Sequence, residues 1–91
     1  VYHDTLEPRI MDEMYRWQRS VPNLQPLLHS VPNLAIWDDH DYALNDQDRT
    51  NPAKDAALAS FRKHWANPAG GLADVTGVFY DFSHGAVDLF M

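Results

Sequence analysis

The 91-residue chain has no cysteine, which removes any disulfide framework and every cysteine-ligated zinc or iron–sulfur site. Cationic side chains are scarce: 7 Lys and Arg stand against 13 Asp and Glu, for a formal net charge of −6. Binding to a phosphate backbone needs clustered cations that release counterions, so nucleic acid is not an expected partner. No apolar stretch approaches the roughly 20 residues that span a bilayer, and no membrane segment is expected. Gly-x-Ser-x-Gly, Gly-x-x-x-x-Gly-Lys and His-Glu-x-x-His are all absent, so serine-hydrolase, P-loop and zincin chemistry have no support. What is present, 45% apolar and 12% aromatic residues, describes a folded piece of at most one domain. The opening Val1-Tyr2 shows no leader pattern, and the strand-like run 87–91 stops without turn residues. The expectation is an internal fragment of a single longer domain covering 1–91.

Periodicity predicts a first helix over 7–19, with Ile10, Met11, Met14, Tyr15 and Trp17 spaced three and four apart. Glu7, Asp12 and Glu13 fall early and Arg16 and Arg19 late, which suits the helix dipole. A short second helix is expected after Asn23, with Asn23 as its cap and Pro32 closing it. The compact run Leu34-Ala35-Ile36-Trp37 reads as a buried strand that delivers polar groups at its carboxyl end. Asn51-Pro52 reads as a cap and first turn for a helix whose apolar face is Ala57, Leu58, Phe61 and Trp65. A β-hairpin is expected at the end, with Val78, Tyr80 and Phe82 alternating and Ser83-His84-Gly85 turning into 86–91. The fold class is α/β.

Chemistry concentrates in Trp37-Asp38-Asp39-His40-Asp41-Tyr42, where three carboxylates and an imidazole occupy consecutive positions. Carboxylates held this close repel one another as water is excluded, so the cluster is stable either when fully solvated or around a compensating cation. Oxygen and imidazole donors suit zinc, manganese, iron and calcium alike. Residue types alone leave two readings open, a cation or catalytic site and a solvated acidic turn. Asp46-Gln47-Asp48 begins an EF-hand-like alternation but lacks the central glycine and closing glutamate, and reads as surface loop.

The order Tyr2-His3-Asp4-Thr5, then 31–42 ending in Trp37-Asp38-Asp39-His40-Asp41-Tyr42, then Asn45-Asp46, resembles the alkaline phosphatase D (PhoD-like) branch of the calcineurin-like metallophosphoesterases. Trp-Asp-Asp-His-Asp corresponds to the superfamily's Gly-Asn-His-Asp/Glu signature, with Asp39 in place of the ligating asparagine. The resemblance implies a slice of a four-layer α/β/β/α sandwich, a phosphoester substrate, and hydrolysis of mono- or diesters by metal-activated hydroxide. It implies Asp39 as a metal ligand and His40 as the residue that stabilises the transition state and protonates the leaving oxygen. Asp38 and Asp41 would be supporting positions beside the ligands, with a carboxylate next to His40 keeping it charged. Tyr2 would be a further metal ligand, as the tyrosine of a Gly-Asp-x-x-Tyr motif. Two or more metal ions are implied, of iron, calcium, zinc or manganese, with the remaining ligands supplied by the rest of the parent domain. The intact parent would be the enzyme, the 91 residues alone would lack most ligands, and export from the cytoplasm follows from the resemblance only. Many relatives carry glycine where Ala43-Leu44 stand. The competing expectations are a small acidic interaction module and a degenerate relative that binds phosphate without turning it over.

Overall fold

The computed structural model describes residues 4–91. Helices α1 (Pro8–Arg19), α2 (Gln25–Ser30), α3 (Asp39–Tyr42) and α4 (Lys54–His64) precede an antiparallel hairpin of β1 (Asp81–His84) and β2 (Val87–Phe90). The class is thus mixed helix plus a two-stranded antiparallel sheet among the described residues. None of the helices is long and apolar enough to cross a membrane.

In α1, Pro8 occupies the first turn, where its missing N–H has no partner to lose and its fixed φ suits a helix. Met11, Met14 and Tyr15 are buried, and Arg16 and Arg19 sit in the last turn. Trp17, expected on the apolar stripe, points out and is 54% exposed. Pro22 then starts a 3-10 turn, Pro22–Leu24, that runs directly into α2. Asn23 lies inside that turn and makes no cap; the Gln25 amide instead ties the turn to the end of α1, donating to the carbonyls of Arg19 and Val21.

The core forms where α1 packs on α4, whose buried positions are Ala57, Leu58, Ser60 and Phe61. Fully burying a large apolar side chain such as Leu58 or Phe61 stabilises by about 1.5–3 kcal/mol. A polar clasp crosses the same interface. The Asp12 carboxylate accepts from the Ser60 hydroxyl at 2.6 Å and from the Lys63 ammonium. His64 stacks on Tyr15 with ring centroids 4.9 Å apart and donates from Nδ1 to the Ser60 carbonyl at 2.9 Å, a packing role.

Residues 34–37 correct the expectation of a buried strand. They form no ladder, and Leu34 and Ile36 are 36% and 53% exposed. An apolar run becomes a strand only where a neighbour satisfies its backbone, and no strand lies beside it among the described residues. Asn67 supplies a one-residue substitute: its Oδ1 accepts from the Ala35 N–H at 3.0 Å and its Nδ2 donates to the Ala35 carbonyl at 2.6 Å. Trp37 is held by Tyr42 and Phe61, at ring centroid distances of 4.9 and 5.5 Å.

Asn51 does not cap α4 directly, because the helix begins at Lys54. It is 2% exposed, accepts from the Ala53 N–H at 2.8 Å and donates to the Tyr42 carbonyl at 3.1 Å. One buried amide therefore ties the end of α3 to the approach to α4. In the hairpin, His84 pairs with Val87, so Ser83 and His84 belong to β1 and the turn is Gly85-Ala86, with Gly85 at φ 62°. Every residue of β2 is exposed.

The α1–α4 clasp has a pH signature. Lys63 first and Ser60 second hold the Asp12 carboxyl below its ordinary value. A carboxyl whose folded pKa is lowered contributes stability above its unfolded value, about 3.9, and loses that contribution as pH falls through the folded value. The thermal midpoint of Asp12→Asn is expected to fall less steeply than that of the unaltered chain between about pH 5 and pH 2. Parallel melting curves over that range check it, and identical slopes would remove Asp12 from the account.

Candidate functional site

The backbone leaves the 34–37 segment extended at Asp38, with φ −97° and ψ 169°, and turns at once into the four-residue helix α3. The Asp38 N–H donates to Asp41 Oδ2 at 3.3 Å, the returning half of a capping box that satisfies an otherwise unpaired helix-start donor. Asp41 thus serves the start of the helix. Ala43 ends α3 and is buried. Its carbonyl accepts from the Thr5 N–H at 3.2 Å, which brings the segment before α1 alongside α3.

That approach places Asp4 against His40. His40 Nδ1–H donates to Asp4 Oδ1 at 2.7 Å, and Asp4 Oδ2 accepts from the Asn45 N–H at 3.0 Å. Asp39 Oδ2 accepts from the Asp46 N–H at 2.7 Å. The loop 43–46 is therefore bonded to two carboxylates, and Asp46 takes a left-handed φ of 57° in doing so. Such a conformation is uncommon for a residue with a Cβ, although Asp tolerates it better than most.

The electrostatics follow from these bonds. The hydrogen bond to Asp4 raises the His40 pKa above its ordinary value, and the charges of Asp39, Asp4 and Asp38 add to the effect against partial desolvation. Asp4 is lowered by the same bond and by the Asn45 amide. Asp39 is lowered first by the Asp46 amide and then by a hydrogen bond with Asp38. The carboxylates favour the protonated form of the ring, and the group is open to solvent: the His40, Asp4 and Asp39 side chains are 42%, 37% and 29% exposed.

The structure brings Asp38, Asp39 and His40 together so that one ligand atom from each lies within 4.8 Å of the others. Asp39 Oδ1 and His40 Nε2 lie 3.9 Å apart within this group. This donor set fits part of a shell for an oxygen- and nitrogen-loving cation, but three donors do not complete the four of a tetrahedral site or the six of an octahedral one. Tyr2 lies outside the described residues. Asp41, expected to support the site, is engaged with the Asp38 backbone; the carboxylate that orients and charges His40 is Asp4. Asp4 received no role in the sequence reading because 36 positions separate it from His40. The one available signal was the chemical need of such a histidine for a carboxylate at its other nitrogen.

Replacing Asp4 removes the largest cause of the His40 shift. In Asp4→Asn the His40 titration midpoint, followed by NMR of the ring protons, is expected to move down toward about 6.5. An unmoved midpoint would separate His40 from Asp4 in solution. Comparison with family models, with curated proteins and with solved structures returned no match to this chain.

Proposed function

We propose that this chain supplies part of the catalytic centre of a metal-dependent phosphoesterase of the PhoD-like kind, set in the four-layer α/β/β/α sandwich of those enzymes. The observation that carries the reading is the convergence of Asp38, Asp39 and His40, with one ligand atom of each within 4.8 Å of the others, while Asp4 orients the His40 ring and the Asp46 N–H holds Asp39 Oδ2. A bound cation would activate a water molecule and offset charge on the phosphoryl oxygens. Asp39 would hold that cation through Oδ1, while the Asp46 N–H fixes the carboxylate's rotation. Asp38 would contribute a further oxygen from the exposed side of the cluster.

His40 does the proton work. With Nδ1–H committed to Asp4, Nε2–H would donate to the departing ester oxygen, so that the leaving group departs as an alcohol. A raised pKa extends to higher pH the range over which the ring can act as an acid. Because the acid must be protonated, activity falls as pH rises through the His40 pKa. The substrate class is phosphate mono- or diesters. Two or more ions, of iron, calcium, zinc or manganese, need ligands beyond Asp39 and Asp38, drawn from Tyr2 and from the rest of a parent domain. Export of that parent belongs to the same proposal.

Two substitutions in the full-length protein test the reading. His40→Ala is expected to lower kcat by about 10²–10⁴-fold with metal content retained. Asp39→Ala is expected to lose bound metal on elemental analysis. Unchanged turnover in the first, or full occupancy in the second, would reject the assigned role. A metal-loaded protein that binds phosphate but turns over no ester would instead be a non-catalytic relative.

A further inference from the structure

At the end of α1 remote from Asp4, the Arg19 guanidinium carbon lies 4.3 Å from the centre of the Trp65 ring and 5.7 Å from that of Tyr15. Helix α1 has 12 residues, so Arg19 stands about 18 Å along the axis from the end that meets the acidic cluster. Both rings are anchored: Tyr15 is 3% exposed and stacked on His64, and Trp65 caps α4 beside Phe61. The guanidinium is therefore held against two rings, and only one of its nitrogens, Nη1, has a hydrogen-bond acceptor among the described residues. Its Nη1 donates to the neutral Gln18 Oε1 at 3.2 Å. Among the described residues no carboxylate forms an ion pair with it. Asp12, on the same helix, is committed to Lys63 and Ser60.

This cation lines a cleft of about 350 Å³ whose other walls include Leu28, Val31, Pro32, Asn33 and Trp65. Ligand cavities commonly begin at roughly 300 Å³ and combine apolar walls with a few polar groups. The Asn33 amide donates to the Val31 carbonyl at 2.7 Å, so its N–H does not compete for the cleft. Partial burial already lowers the Arg19 pKa, the direction expected of a cation that has lost water without gaining an anion.

We infer that the cleft between the ends of α1 and α4 is a binding site for a small organic monocarboxylate with a flat apolar body, its carboxylate on the edge of Arg19 and its body against Leu28, Val31 and Pro32. A carboxylate matches the planar fork through two parallel N–H···O bonds. A dianionic phosphate fits less well, because one cation leaves a charge uncompensated in a chain of net charge −6. The cleft shares no residue with the Asp38, Asp39 and His40 cluster.

Phenylacetate is a suitable probe, with phenylacetamide as its neutral isostere, in ¹H–¹⁵N NMR titrations of the chain. Phenylacetate is expected to bind with a Kd of about millimolar order and to shift the Trp65 indole N–H and the signals of 28–33. Phenylacetamide is expected to bind at least about tenfold more weakly, as is phenylacetate to Arg19→Gln. Arg19→Lys, which keeps the charge and loses the fork, is expected to fall between. Equal binding of the acid and the amide to the unaltered chain would overturn the proposal whether or not Arg19→Gln folds. So would absence of shifts at these residues up to about ten times the expected Kd. An acidic peptide carrying Phe-Glu internally that binds tighter than phenylacetate would also overturn it, by making the occupant a protein segment.

Discussion

Carboxylates gathered around one imidazole can share a small volume only if each finds a donor, and the architecture of the acidic cluster follows from that requirement. Asp4 takes the His40 ring and the Asn45 amide; Asp39 takes the Asp46 amide; Asp41 takes the Asp38 amide. Backbone N–H groups do most of this, which is why the loop 43–46 folds back on the helix and why Asp46 accepts a left-handed conformation. Hydrogen bonds to a charged acceptor are roughly twice as strong as neutral ones, enough to offset an uncommon φ. The same bonds fix the orientation of Asp39 and of His40, whose Oδ1 and Nε2 lie 3.9 Å apart.

Helix α3 is too short to hold itself, since a four-residue helix has almost no internal hydrogen bonding to set against its ordering entropy. It is pinned from outside at each end. Trp37 packs on Tyr42 and on Phe61 of α4, and the buried Asn51 amide holds the Tyr42 carbonyl. Loss of the Asn51 donor would orphan that carbonyl at a cost of about 1–3 kcal/mol. The α1–α4 pair is thus the platform for the site: α4 carries the aromatic wall, and the segment leading into α1 carries Asp4. The Arg19 cleft uses the other end of the same pair, where the helices present a cation and rings instead of acids.

Elements whose signals are local were legible before the structure. Helix α1 follows from the spacing of Met11, Met14 and Tyr15, α4 from Ala57, Leu58 and Phe61, and the hairpin from alternation around a glycine that sits at φ 62°. The run Leu34-Ala35-Ile36-Trp37 misled because four apolar residues carry no period of their own, and whether they become a strand depends on a neighbour. Asn51 was read as a cap from its place before proline, but its bond to Tyr42 depends on how the loop 43–50 returns.

Composition and order alone therefore determined that the chain would be acidic, largely helical at its start, closed by a hairpin and chemically concentrated at 38–41, because charge count and periodicity are properties of neighbours along the chain. Tertiary structure alone decided that Asp4 and not Asp41 is the carboxylate on His40, that an asparagine side chain stands in for a strand beside Ala35, and that Arg19 meets Trp65. Each of these joins residues more than 30 positions apart, and sequence spacing carries no information about such a meeting until the packing of α1 on α4 fixes where the intervening loops return.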